Sequence, residues 1–166
     1  DKQRIIVTIQ IKEGQRYTVT VVKLGGDYLG KDEEFKSLVS IEPGEPYRAE
    51  AVASTQKAFT DRFGLFGYAF ARIEAIPQID RNTGRVVVLL NADPGRRVYV
   101  RRINVSGNTR TRDEVVRREF RQFESAWYDG QRIKLSRDRV DRLGYFSEVD
   151  VETNEVPGAL DQVDLT

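Results

Sequence analysis

Two periodicities of apolar residues alternate along the chain, and they alternate twice in the same order. Residues 17–24 (YTVTVVKL) carry Val19, Val21 and Lys23 on one side with β-branched neighbours, which predicts a strand closed by Gly25-Gly26. Phe35, Leu38 and Val39 then follow at helical spacing, and PGEP at 43–46 interrupts the chain. Val52, Phe59 and Phe63 predict a second, longer helix that stops at Gly67, where a positive φ can close the last turn. Residues 70–79 alternate again but contain Pro77, which has no N–H for a ladder, so this strand belongs at a sheet edge. The unbroken apolar run 85–90 predicts a central strand, and 80–84 turns into it.

The second half repeats this text. At an offset of 81, Gly14 falls on Gly95, Gly26 on Gly107 and Tyr47 on Tyr128. Beyond that the offset is 77, placing Gly67-Tyr68 on Gly144-Tyr145 and Val86 on Val163. The difference falls inside the second helix and amounts to about one turn, so the buried face keeps its phase. In this half Thr111 and Glu114 have capping-box spacing, Val116, Phe120 and Phe123 form a predicted apolar stripe, and Ile133, Val140 and Leu143 form the next. The expected fold class is α+β: two tandem units, each β-α-α-β-β, with two helices on a three-stranded mixed sheet. Residues 4–14 match 85–95, and 1–14 are expected to be the last strand of a preceding unit. The units proper are expected at 15–95 and 96–166, the second cut within its last strand. The short linker 91–97 predicts a restricted set of inter-unit angles, with Gly95 as a hinge.

Composition narrows the chemistry. The chain has no Cys and no His, which removes disulfides, a thiol nucleophile, thiolate metal sites and the commonest general base. No apolar run reaches the roughly 18 residues of a membrane span. Without a starting Met or a leader, the sequence reads as an excised piece of something longer. Asp113, Glu114, Glu119 and Glu124 come with no nucleophile, phosphate loop or ligand cluster, so they read as a solvated helix face. We therefore expect no enzyme, no catalytic residue, no cofactor and no metal. The net charge is only +1, but Arg96, Arg97, Arg101, Arg102, Arg110, Arg112, Arg117, Arg118 and Arg121 gather at the start of the second unit. Local pairing and solubility, a nucleic-acid surface, and a protein or headgroup docking face all remain open for them. Against nucleic acid, SGNTR at 106–110 is not a GxxG clamp.

Taken together, IEPGEPY (41–47), FGYAFARIEAIPQI (66–79), VYVRRINVSGN (98–108), TRDEVVRREFRQFESAW (111–127) and RLGYFSEVDVETNEVPG (142–158) resemble POTRA domains. They are most similar to the fourth and fifth such domains of the outer-membrane protein assembly factors of Gram-negative bacteria. That resemblance implies a periplasmic setting, three preceding POTRA domains and a following membrane β-barrel. It implies lipoprotein partners, BamD among them, and unfolded outer-membrane proteins as clients, with no nucleic-acid or small-molecule partner. POTRA modules of two-partner secretion transporters, or a small α/β nucleic-acid-binding module, are the alternatives. By resemblance, the positions of Arg117 and Glu124 lie in the BamD contact; with Arg121 they are spaced as one helical stripe, Glu124 near the helix C-terminus. Clients are expected to add as strands to the edges 70–79 and 147–155, with Phe70, Arg72 and Glu74 on the first and Glu148, Asp150 and Glu152 on the second.

Overall fold

The computed structural model describes residues 15–166. The strand expected within 1–14 lies outside them. The first unit runs β1 (Thr18–Gly26), α1 (Asp32–Lys36), α2 (Ala49–Leu65), β2 (Arg72–Asp80) and β3 (Arg85–Asp93). The second runs β4 (Tyr99–Ile103), α3 (Asp113–Arg117), α4 (Gly130–Asp141), β5 (Thr153–Val156) and β6 (Ala159–Leu165). In each unit the last strand is central, parallel to the first and antiparallel to the second, giving the orders β1-β3-β2 and β4-β6-β5. The apolar run 85–90 is thus the central strand, and Pro77 sits on the edge strand β2 opposite Val88.

The repeat holds at the level of single hydrogen bonds. Val19 N–H donates to Glu45 C=O as Val100 N–H donates to Ala126 C=O, both at 2.9 Å, and Gly44 N–H meets Val19 C=O as Ser125 N–H meets Val100 C=O. The fully buried hydroxyls of Thr55 and Ser136 are equivalent: each donates to the carbonyl four residues back and accepts the N–H of Ser40 or Arg121. A hydroxyl on the second helix therefore ties down the loop after the first helix in both units.

The cores differ. Tyr28, Phe35, Phe59 and Phe63 form an aromatic cluster in the first unit, with ring centroids 4.5–6.0 Å apart. At an offset of 81 the second unit has Thr109 and Val116 in place of Tyr28 and Phe35. Its smaller core, Val98, Val100, Ile103, Ile133, Val163 and Leu165, is extended by Ala69 and Phe70 of the first unit. Phe70 precedes β2 rather than standing on it, and it packs against the second unit's core. Further contacts fix the junction. Val98 N–H donates to Gly67 C=O at 2.9 Å, and a β-carbon on Gly130 would stand 3.7 Å from the Gly64 backbone. Gly67 has φ of +95°, and a β-carbon there would lie 2.8 Å from Arg97 Cγ.

Several expectations are corrected. A bulge between Val19 and Val21 turns Val21 out of the core, where it is 43% exposed. Thr111 and Glu114 make no capping box: Arg112 is the N-cap residue, without a side-chain cap bond. Helix α3 ends at Arg117: Glu119 and Phe120 N–H donate three residues back, to the carbonyls of Val116 and Arg117, and Arg121 N–H donates to Ser136 Oγ instead of continuing a helical ladder. Phe123 therefore leaves the predicted stripe and is 61% exposed. Strand β5 is shorter than 147–155, since its last backbone pair is Glu152 with Thr166. Glu148 and Asp150 lie on the segment before it, which Arg137 holds through Val149 C=O at 2.9 Å. Tyr145, equivalent by the repeat to the half-buried Tyr68, is exposed.

Candidate docking surface

The segment 120–128 leaves α3, turns through Ser125 at φ of +61°, and lies along the outer edge of β4. Its backbone is held from inside by Gln122, only 1% exposed. Gln122 Oε1 accepts Asp129 N–H at 3.1 Å, while Nε2 donates to the carbonyls of Phe123 at 3.1 Å and Trp127 at 3.0 Å. A buried amide with three partners fixes a loop more firmly than an apolar side chain could. The rigid loop presents Phe123 and Trp127 outward, and Arg97 lies 4.2 Å above the Trp127 ring, a cation–π distance.

At the far end of β4 the ladder changes from backbone to side chain. Ile103 N–H donates to Glu124 Oε1 at 2.8 Å, and Ile103 C=O accepts from Arg117 Nη2 at 2.7 Å. The two side chains are 3.6 Å apart, and Arg117 also binds Asp113 at 2.5 Å. The hydrogen bond from Arg117 to Asp113, then the charges of Asp113 and Glu124, raises the guanidinium pKa above its ordinary value. Arg117 and Glu124 thus stand where a neighbouring strand's N–H and C=O would be. A cleft of about 300 Å³ lies beside them, lined by Ile103, Phe120, Gln122 and Phe123.

Of the three residues spaced for one stripe, the structure brings together Arg117 and Glu124. Arg121 is separate: its guanidinium donates to the carbonyls of Arg118 and Phe120. Glu124 is seven residues beyond the end of α3, so the helix dipole plays no part in its setting. Local pairing exists, with Arg117 rather than Arg121. Among the wider arginine group, Arg101 pairs with Asp164 and Arg118 with Glu119. Among the described residues, Arg96, Arg97, Arg102, Arg110 and Arg112 have no carboxylate at ion-pair distance. No group of three or more metal-ligating side chains occurs among the described residues.

On the first unit, Arg72 and Glu74 are exposed on the edge strand β2, and Gln56 caps the Ile73 carbonyl at 2.8 Å. Gln122 and Trp127 escaped the sequence reading, and Phe123 was placed in the core. The one available signal was the repeat, which sets Gln122 over Ile41 in a column that should be apolar.

Comparison with known proteins places these features. The profile of the POTRA family, described as a surface antigen variable number repeat, matches residues 17–95 and 98–166. The outer membrane protein assembly factor BamA of Neisseria meningitidis is 37% identical over 166 residues, 99% of this chain and 21% of that protein. The BamA of Nitratidesulfovibrio vulgaris is 31% identical, again over 99% of the chain and 21% of its own length. The chain therefore spans about a fifth of these relatives. A crystal structure of Haemophilus influenzae BamA POTRA3-5 superposes with a TM-score of 0.86 at 29% identity, covering 90% of this chain and 59% of that one. BamA from Haemophilus ducreyi lacking POTRA domains 1-3 gives 0.74 at 29% identity, over 90% of this chain and 28% of that one.

Proposed function

The chain belongs to the POTRA family, and from that premise we propose that it is a non-catalytic periplasmic scaffold within an outer-membrane protein assembly factor. It docks a BamD-type lipoprotein through Arg117 and Glu124 and helps guide unfolded outer-membrane proteins toward a membrane β-barrel. The observation that carries the docking reading is the exposed Arg117–Glu124 pair. Both side chains are about half exposed although paired within the chain, and the rigid loop sets the aromatic rings of Phe123 and Trp127 on the same segment. Partly exposed aromatics beside charge pairs are what protein interfaces use for anchoring and for register. No helix among the described residues is long and apolar enough to cross a membrane. Client guidance draws on a different element, the exposed edge of β2 with Arg72 and Glu74, where main-chain pairing tolerates many sequences.

Calorimetric titration with purified BamD tests the docking. Glu124→Lys should weaken it at least about tenfold, or about 1.4 kcal/mol. Because Glu124 also accepts the Ile103 N–H, Glu124→Gln is the necessary companion. The amide keeps that hydrogen bond but loses the charge, so it should fold as the parent does and still bind weakly. Parental affinity in both variants would refute the assignment.

A further inference from the structure

We propose that the outer face of the first unit's sheet is a self-association surface, on which a second copy of this chain packs face to face about a two-fold axis running along β3. The inference rests neither on lipoprotein docking nor on client guidance. It begins with the two faces of one sheet. Val86, Val88 and Leu90 point under the helices into the core. Val87 and Leu89 point the other way, and the register sets Val21 beside Val87 and Ile76 beside Leu89. Val21 is 43% and Ile76 38% exposed, and none of the four belongs to the core cluster. Gly25 keeps the patch flat because Leu89 lies over it: a β-carbon there would stand 3.1 Å from Leu89 Cδ1.

The second unit shows that the fold does not require this apolar face. After the same bulge, its register pair Arg102 and Asp164 stands where the first unit has Val21 and Val87, and by the repeat Thr166 takes the place of Leu89. Arg101 engages Asp164 there. The same sheet thus folds with a charged outer face, so the apolar side chains of the first unit's face answer to a contact outside the unit.

The charges around the patch decide its occupant. Lys23, Leu89 and Ile76 make one row across the sheet, and Gly25, Asn91 and Glu74 make the next outward-facing row. Among the described residues, neither Lys23 nor Glu74 has an ion-pair partner. Sheets pack face to face about 10 Å apart with their strands nearly aligned. A two-fold axis along β3 then sets β1 of each copy over β2 of the other. Glu74 faces Gly25 of the second copy, which leaves it room, and Lys23 of that copy lies one row away; symmetry makes this pair twice. An axis across the strands at the centre of the patch sets Glu74 against Asp80 instead, a contact between like charges. The face is therefore complementary to itself in one orientation. Three strands of nine residues each, about 4.8 Å apart and rising about 3.3 Å per residue, give roughly 400 Å² per copy, against about 800 Å² in a stable complex. The association accordingly belongs to the weak, reversible class.

Sedimentation equilibrium of the chain alone tests this. The parent should show a reversible monomer–dimer equilibrium, and Lys23→Glu and Glu74→Lys should each weaken it at least about tenfold. Both side chains are exposed, so both variants should melt as the parent does. The first variant is acidic at both positions and the second basic at both, so the two mixed together should form a heterodimer as tight as the parent dimer. The chain has no cysteine, so Val87→Cys introduces a unique thiol beside the axis. A short bismaleimide should link two such copies, whereas Lys57→Cys, exposed on α2 across the sheet, should not be linked. A parent that stays monomeric at millimolar concentration would overturn the proposal and leave the face to an amphipathic helix of another protein. Single variants that dimerise as the parent does, or that fail to pair when mixed, would overturn it as well.

Discussion

Replacing Gln122 by isoleucine, the residue the first unit has at the equivalent Ile41, tests whether the docking loop is held by hydrogen bonds or merely by packing. Gln122 makes three side-chain to backbone bonds, at 3.0–3.1 Å. At about 1 kcal/mol net each, their loss costs about 3 kcal/mol. Full burial of the aliphatic side chain returns about 1–2 kcal/mol. The net expectation is a loss of about 1–2 kcal/mol in the second unit, or roughly 5–15 °C in its melting temperature. The chain has a single tryptophan, and it sits on this loop. Its emission should shift to the red as Trp127 leaves Arg97. A variant as stable as the parent, with unchanged Trp127 emission, would show that packing alone holds the loop.

Gly67→Ala should destabilise by about 1–2 kcal/mol because φ is +95° there, and by pushing Arg97 aside it should rotate one unit against the other, visible in residual dipolar couplings. Tyr28 is pushed up to about 12 by burial and then by Asp32, against about 10 in the unfolded chain, so stability should be constant below pH of about 10 and fall as pH rises toward 12. Tyr28→Phe should remove that alkaline loss in denaturant titrations. Asp164 is held below the usual carboxylate range by its hydrogen bond from Arg101, so its contribution is present above pH of about 4 and is lost as pH falls through the lower folded midpoint. Carbon-detected titration should find that low midpoint, and Arg101→Gln should restore it toward the ordinary value.

The fold was readable because its signals are periodic and were printed twice. Alternation marked β1 and β2, the unbroken apolar run marked β3, and Pro77 excluded β2 from the sheet centre. The site was read less well, for identifiable reasons. Helical spacing grouped Arg117, Arg121 and Glu124, but α3 ends at Arg117, and the chain beyond it is held by Ser136 on a distant helix, whose hydroxyl accepts Arg121 N–H. No local propensity encodes that contact. The apolar stripe failed at Phe123 for the same reason. Phe70 belonged by spacing to an edge strand, yet its ring packs on the neighbouring unit's core, a tertiary fact that alternation cannot express. Residues 148–150 alternate as a strand should, but the β5–β6 ladder ends with Glu152 and Thr166.

The repeat also explains why the features proposed for docking fall on the second unit. The loop backbone is the same in both: Gly44 and Ser125 each take positive φ, and each unit pairs this loop with its first strand through the same hydrogen bonds. Only side chains differ. Ile41, Glu42, Pro43 and Pro46 of the first unit become Gln122, Phe123, Glu124 and Trp127 of the second. Each exchange has a separate physical effect: the amide rigidifies the loop, the two aromatics give it apolar area, and the carboxylate reaches Ile103. Proline in Glu124's place could not accept the equivalent N–H of Val22, and Lys36, in Arg117's place, is engaged by Glu33 at 2.6 Å. The first unit therefore has the frame without the surface. Restoring its four side chains to the second unit should erase docking while leaving the ladder that both units share.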